Sequence, residues 1–189
     1  YRDGKYEHLW FKEGVFDKRD TGKWQNGTTG TLVQWEPSEE FFTHPEVDIN
    51  VIKNLLKTTA CLCPGLTINL DDNGTKTTYQ SVRGLHDLVD AAVKDKELIN
   101  NRFIVHWQEN KYKFDLVMTY TSNYNLTIVP YVNTGLTESG PHITQIKTIL
   151  TREFNKFFKE KKWLKEKDEN LNGDDIQEGM FIAFNLTAP

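Results

Sequence analysis

The sequence predicts an α+β protein built from two consecutive helix-on-sheet units that meet near residue 82. Short stretches with apolar residues at every second position, bounded by Gly- and Asn-containing turns, imply antiparallel strands. Three longer stretches, 49–63, 85–93 and 143–157, repeat their apolar residues at helical spacing. Strand pairs and helices alternate in blocks along the chain, the pattern of helices packed on antiparallel sheets. With 189 residues, 38% of them hydrophobic, the chain can bury one substantial core or two small ones.

Taken in order, Tyr6, His8 and Trp10 alternate along residues 5–11, and Lys12-Glu13-Gly14 reverses the chain. Thr31, Val33 and Trp35 alternate in a second predicted strand, fed by the polar, glycine-punctuated run from Trp24 to Gly30 and stopped by Pro37. The period then changes. Ile49, Ile52, Leu55, Leu56, Ala60 and Cys63 form a helical stripe, with Asp48 as its expected N-cap and Pro64-Gly65 as its end. Leu66, Ile68 and Leu70 make a strand that turns at Asp71-Asp72-Asn73-Gly74 and returns through Tyr79.

In the second unit a helix with the stripe Leu85, Leu88, Val89, Ala92 and Val93 precedes three strands, 102–108, 112–121 and 124–132. Glu109-Asn110 and Ser122-Asn123 would make these a meander. A long helix is expected from His142, burying Ile143, Ile146, Leu150, Phe154 and Phe157, and a final strand from Met180 to Thr187.

Composition removes several functional classes. No apolar run approaches the roughly 20 residues that cross a bilayer, so no membrane association is expected. The N-terminus lacks the apolar core of a signal peptide, and a start within a strand pattern suggests a piece of a longer protein. A net charge of −4 argues against nucleic-acid binding by bulk electrostatics, which leaves local contacts. Cys61 and Cys63, one residue apart, suit neither a disulfide nor a zinc site and are expected as small buried apolar residues. Four Asn-x-Thr sequons, at Asn26, Asn73, Asn125 and Asn185, together with the aromatic content, leave open a secreted, glycosylated, non-enzymatic binding module.

No nucleophile elbow, metalloprotease helix, Cys-x-x-Cys or phosphate-binding loop is present, and the five histidines are scattered over different elements. Positive charge concentrates only between Lys147 and Lys167. That face is either a solvated helix surface or a wall that meets DNA phosphates. Glu138-Ser139-Gly140-Pro141-His142 stands at the start of the same helix, as an anion-holding N-terminus or a plain cap. Gly173-Asp174-Asp175-Ile176-Gln177-Glu178-Gly179 lacks EF-hand spacing and is expected to be a capped turn rather than a metal loop.

The order of these motifs resembles one family. Arg2-Asp3-Gly4-Lys5, Thr29-Gly30-Thr31 before Trp35-Glu36-Pro37, Cys63-Pro64-Gly65-Leu66-Thr67-Ile68, Glu138 to His142, Leu150-Thr151-Arg152 and Gly173 to Gly179 together resemble the B subunit of DNA gyrase and topoisomerase IV. The resemblance implies that residues 1–82 are the C-terminal part of a GHKL-type ATPase domain. Residues 83–189 would be an incomplete transducer domain of the ribosomal-S5-domain-2-like fold, with its left-handed β-α-β crossover. It also implies an isomerase that couples ATP and Mg2+ to duplex passage and acts in the cytoplasm. Its partners would be sequence-independent duplex DNA, a second copy in an ATP-closed dimer, and a cleavage-religation subunit or domain.

Carried over by motif, Thr31 would touch the nucleotide at the adenine end of the pocket, and Arg2 would stand at the pocket mouth where coumarin-type inhibitors bind. Lys147 and Arg152 would line the cavity for captured DNA, and Gly140 and His142 would belong to the loop-helix motif. The resemblance places the catalytic glutamate and magnesium-binding asparagine before Tyr1 and the γ-phosphate lysine after Pro189, so neither the ATP nor the Mg2+ site would be complete in this chain. The family's Gly-Gly-Thr-His is Ser139-Gly140-Pro141-His142 here, and Pro141 removes a backbone donor.

Overall fold

In the computed structural model, which describes residues 1–189, the Tyr6-His8-Trp10 alternation builds strand β1 (Lys5–Lys12). It reverses at Glu13-Gly14, both in the left-handed region, and pairs antiparallel with β2 (Val15–Lys23). This hairpin and the chain up to Asp48 make one compact unit, and Ile49–Pro189 makes the second.

The strand expected at 31–35 does not form. Residues 24–37 are irregular, and Leu32, Val33 and Trp35 stand 83%, 74% and 58% exposed. Alternation supplies strand propensity, but a strand also needs an adjacent edge to take its N–H and C=O groups. β1 and β2 pair only with each other, and no strand runs along 31–35.

In the second unit α1 (Ile49–Leu62) ends ahead of Pro64-Gly65 and buries Ala60, Cys61 and Leu62. It packs on the hairpin β3 (Thr67–Asp72) and β4 (Thr75–Gln80), whose turn is fixed by the Gly74 N–H donating to Asp71 Oδ1 at 2.9 Å. A short α2 (Leu85–Ala92) follows. At its start Ser81 Oγ donates to Asp87 at 2.7 Å, and Arg83 bridges Asp87 and Asp90. The Ser81 hydroxyl first, and then Arg83, hold the Asp87 carboxyl below its usual range.

The remaining strands are β5 (Phe103–Glu109), β6 (Tyr112–Tyr120), β7 (Thr127–Val132), the two-residue β8 (Gly135–Leu136) and β9 (Met180–Thr187). They form one sheet in the order β5-β6-β9-β7-β8. This corrects the predicted meander. Ser122-Asn123 is not a hairpin turn, because β9 inserts between β6 and β7, antiparallel to the first and parallel to the second. The reason lies in β9 itself. Met180 to Asn185 are buried on both faces, and only a central position covers both.

The two faces of β9 separate two cores. Phe181 and Ala183 join Val117, Tyr131, Leu62, Leu85 and Val89 on the side of α1 and α2. Met180, Ile182 and Phe184 join Leu116, Met118 and Ile176 on the other side. There α3 (Pro141–Glu160) lays down Ile143, Ile146, Leu150 and Phe154, as its periodicity predicted. Phe157 departs from that prediction. It is 41% exposed and packs instead on Trp163, ring to ring at 5.7 Å, because the helix ends at Lys161 and the chain turns back, the Trp163 N–H donating to the Phe158 carbonyl. The five-residue α4 (Gly173–Gln177) leads into β9 through Gly179, whose φ is +73°. A Cβ at Gly179 would lie 2.7 Å from the Thr121 carbonyl oxygen, so glycine is required for two reasons.

Candidate functional site

The clearest candidate surface runs along α3. Pro141 occupies the first turn of the helix, where its missing N–H has no intrahelical partner to lose, so the departure at this position costs no bond. Gly140 before it has φ +150°, and a Cβ there would stand 2.5 Å from the His142 ring. His142 Nε2 lies 2.9 Å from Thr137 Oγ1, and its ring meets Phe184 edge-on at 5.9 Å. His142 thus ties the helix start to Thr137, just after β8, and to β9, and Gly140 leaves room for its ring.

With the apolar stripe of α3 committed to the core, its flank forms one wall of a groove of about 680 Å³. The chain from Asn170 to Gln177 forms the other. Lys147, Arg152, Lys156 and Lys159 line it, and none of its lining residues is acidic. Their span, Lys147 to Lys159, is about 18 Å at 1.5 Å per residue. Arg152 is 2.8 Å from its neighbour Glu153, and Lys156 is 4.0 Å from Glu160, both exposed pairs of the kind that exchange readily for other anions. The structure therefore brings Lys147 and Arg152 into one cationic groove.

Sequence reasoning missed the residue that shapes this groove. Asn155, 5% exposed, uses both ends of its amide on Leu171: Nδ2 donates to the Leu171 carbonyl and Oδ1 accepts from its N–H, each at 2.8 Å. The available signal was a poor helix former among Phe154, Lys156 and Phe157, where a more favourable residue would otherwise be expected.

In the first unit Tyr1 and Gly30 exchange backbone hydrogen bonds, Gly30 N–H to the Tyr1 carbonyl and the Tyr1 amine to the Gly30 carbonyl, both 3.0 Å. Tyr1 stacks on Trp24 at 4.4 Å, and Trp24 Nε1 donates to Thr28 Oγ1. Arg2 is held in a tight turn by reciprocal bonds with Lys5 and lines a groove of about 610 Å³ with Lys5, Tyr6, Glu7 and Arg19. Tyr6 OH donates to Asp20, and that bond holds the phenol above its usual pKa. Thr31 is exposed, one residue beyond Gly30. The Tyr1–Gly30 pair thus sets Arg2 and Thr31 on adjacent strands of chain, although Thr31 does not line the Arg2 groove.

The acidic segment is a capped helix start. Asn172 Oδ1 accepts from the Asp175 N–H at 2.9 Å, and the Asp175 carboxylate accepts from the Asn172 N–H at 3.0 Å. No three His, Cys, Asp or Glu side chains converge into a metal-holding group. Cys61 is buried and free, and burial raises its thiol pKa, which leaves it inert.

Residues 84–189, more than half of the chain, match the family described as DNA gyrase B. The chain belongs to the DNA gyrase B family. This gyrase B family chain is 27% identical over its whole length to the B subunit of DNA topoisomerase 4 from Streptococcus pneumoniae, covering 30% of that protein. It is 30% identical to the B subunit of DNA gyrase from Thermotoga maritima over 83% of its own length and 26% of that protein. It therefore spans under a third of the curated relatives it matches.

Its fold matches the 43K ATPase domain of Thermus thermophilus gyrase B, solved in complex with an aminocoumarin, with a TM-score of 0.80 and 26% identity. That match covers the whole chain and 53% of the solved one. The α+β class and the family expected from the motifs are thus shown. The secreted binding module is not: Asn185, one of its four sequons, is 5% exposed inside β9, where no glycan fits. No helix is long and apolar enough to cross a membrane.

Proposed function

We propose that this chain is part of the ATP-binding subunit of a type II DNA topoisomerase, which couples ATP turnover to the passage of one duplex through another. Residues 1–82 would belong to the GHKL ATPase domain and 83–189 to the transducer; the family match beginning at residue 84 supports that division. One observation carries the DNA role, the groove along α3 with four cations and no carboxylate in its lining. Cations spaced along a helix neutralise phosphates and release counterions without reading bases, which suits a sequence-independent duplex.

Thr31 and Arg2 are proposed for the edge of the nucleotide pocket, the hydroxyl at the adenine and the guanidinium at the mouth. The likeness to an ATPase domain supports ATP as the ligand of the complete subunit, with Mg2+ as its proposed metal. A second copy closing on ATP, a cleavage-religation partner and a cytoplasmic setting complete the proposal.

The test is Lys147→Ala in the complete enzyme. DNA-stimulated ATP turnover should fall while basal turnover holds, and the salt slope of DNA binding should shrink by about one unit for the lost cation. Unchanged DNA stimulation and strand passage would remove Lys147 from the DNA path.

A further inference from the structure

The end of α3 keeps a lysine where the backbone asks for glycine. Beyond the C-cap Lys161, the Trp163 N–H donates to the Phe158 carbonyl and the Lys162 N–H to the Lys159 carbonyl, both at 2.9 Å. These are the paired bonds of a Schellman end, whose left-handed residue is ordinarily glycine. Here it is Lys162, with φ +59°, a region that residues with a Cβ enter only at a cost. Both bonds would form equally well with glycine, so the turn itself does not account for the lysine. Strain held at one residue points to a use for its side chain.

The same turn sets an aromatic ring on the surface. Trp163 rests on Phe158, ring centroids 5.7 Å apart at 31°, and meets Phe157 at 89°. Those contacts hold one face and one edge of the indole. Trp163 is nevertheless 69% exposed, which leaves its other face open. Lys159, Lys161, Lys162 and Lys165 flank it in sequence, and the ion pair of this stretch, Lys156 with Glu160 at 4.0 Å, uses none of them. Lys161 leans over the Phe157 ring at 5.6 Å. Cations suit the negative end of a helix dipole, but with glycine at 162 three would still stand there.

We propose that the turn Lys161-Lys162-Trp163 binds single-stranded nucleic acid, with an unpaired base stacked on the open face of Trp163 and the lysines on the flanking phosphates. Base faces inside a duplex are covered by their neighbours, so such a ring finds a partner only where a strand is open. An acidic peptide would satisfy the lysines and leave the indole face bare. The site begins where the groove's lining ends, at Lys159, and takes a different ligand from the duplex proposed for that groove, so it does not rest on that proposal.

Fluorescence anisotropy of a labelled oligothymidylate of about 12 nucleotides, titrated with the full chain at low salt, tests this against a duplex of the same length. Trp163→Ala should lower single-strand affinity about 5- to 150-fold, the loss of one stacked base, and leave duplex affinity unchanged. Trp163→Phe should keep most of the binding. Lys162→Gly should raise the Tm by relieving the left-handed backbone, yet weaken single-strand binding and reduce its salt slope by about 0.7. A residue with a structural role alone would not move stability and binding in opposite directions. A parent chain that does not bind the single strand would overturn the proposal. So would a Trp163→Ala variant that binds it as tightly as the parent or loses as much on the duplex, or a Lys162→Gly variant with an unchanged salt slope. The Lys147 test reads DNA-stimulated turnover in the complete enzyme, so either proposal can fail alone.

Discussion

Asn155 holds Leu171 by both of the latter's backbone groups, across 16 residues of sequence. That closed ring fixes the far wall of the cationic groove against α3 without using any of its charges.

Replacing Asn155 with Ala should therefore act at a distance from the cations. It leaves the Leu171 N–H and C=O unpaired and should lower stability by about 1–3 kcal/mol in urea unfolding. Faster hydrogen exchange at the Leu171 amide would show that the wall has loosened. If the groove meets DNA, DNA-stimulated turnover should fall although Lys147, Arg152, Lys156 and Lys159 are intact.

Thr31→Ala in the complete subunit should weaken nucleotide binding by about 1 kcal/mol, the net worth of one hydroxyl hydrogen bond, measured by calorimetry. Its exposure and lack of a strand partner in this chain mean that stability should barely change. An unchanged nucleotide affinity would count against Thr31 as a pocket residue.

Tyr120 OH donates to the Ile176 carbonyl at 2.7 Å, and burial pushes its pKa up to about 12. Raised above the unfolded value of 10, it contributes stability fully present below pH 10. As pH rises further, the unfolded phenol ionises first, and the contribution is lost as pH passes through about 12. Urea midpoints measured from neutral to alkaline pH should show this limb in the parent. Tyr120→Phe should flatten it at a cost of about 1 kcal/mol at neutral pH.

Gly179→Ala and Gly14→Ala separate strain from collision. Both glycines have positive φ, +73° and +77°, so each alanine incurs about 1–2 kcal/mol of backbone cost. Only at Gly179 does the added Cβ meet backbone, the Thr121 carbonyl at 2.7 Å; at Gly14 nothing lies within 4 Å. Thermal melts should show a clearly larger loss for Gly179→Ala.

Elements that satisfy themselves locally were legible in the sequence. The α1 and α3 stripes, the Asn73-Gly74 hairpin and the capped turn before β9 each carry their cause within a few residues. The failures share a different cause. Whether 31–35 forms a strand depends on an edge elsewhere, and the place of β9 depends on which strand most needs covering on both faces. The cations of the candidate site were visible as a charge run, whereas the groove was not, because Asn155 builds it through a contact that no helical spacing predicts.

The position of β9 also bears on how the protein is made. The strand that joins β5-β6 to β7-β8 follows all of them in chain order, so its two neighbours cannot be united until β9 itself has been made. During synthesis, Leu116 and Met118 on one side and Ile128 on the other wait with their core surface uncovered. Completion of the sheet is then a single late event with long-range contacts, the step expected to limit the folding rate.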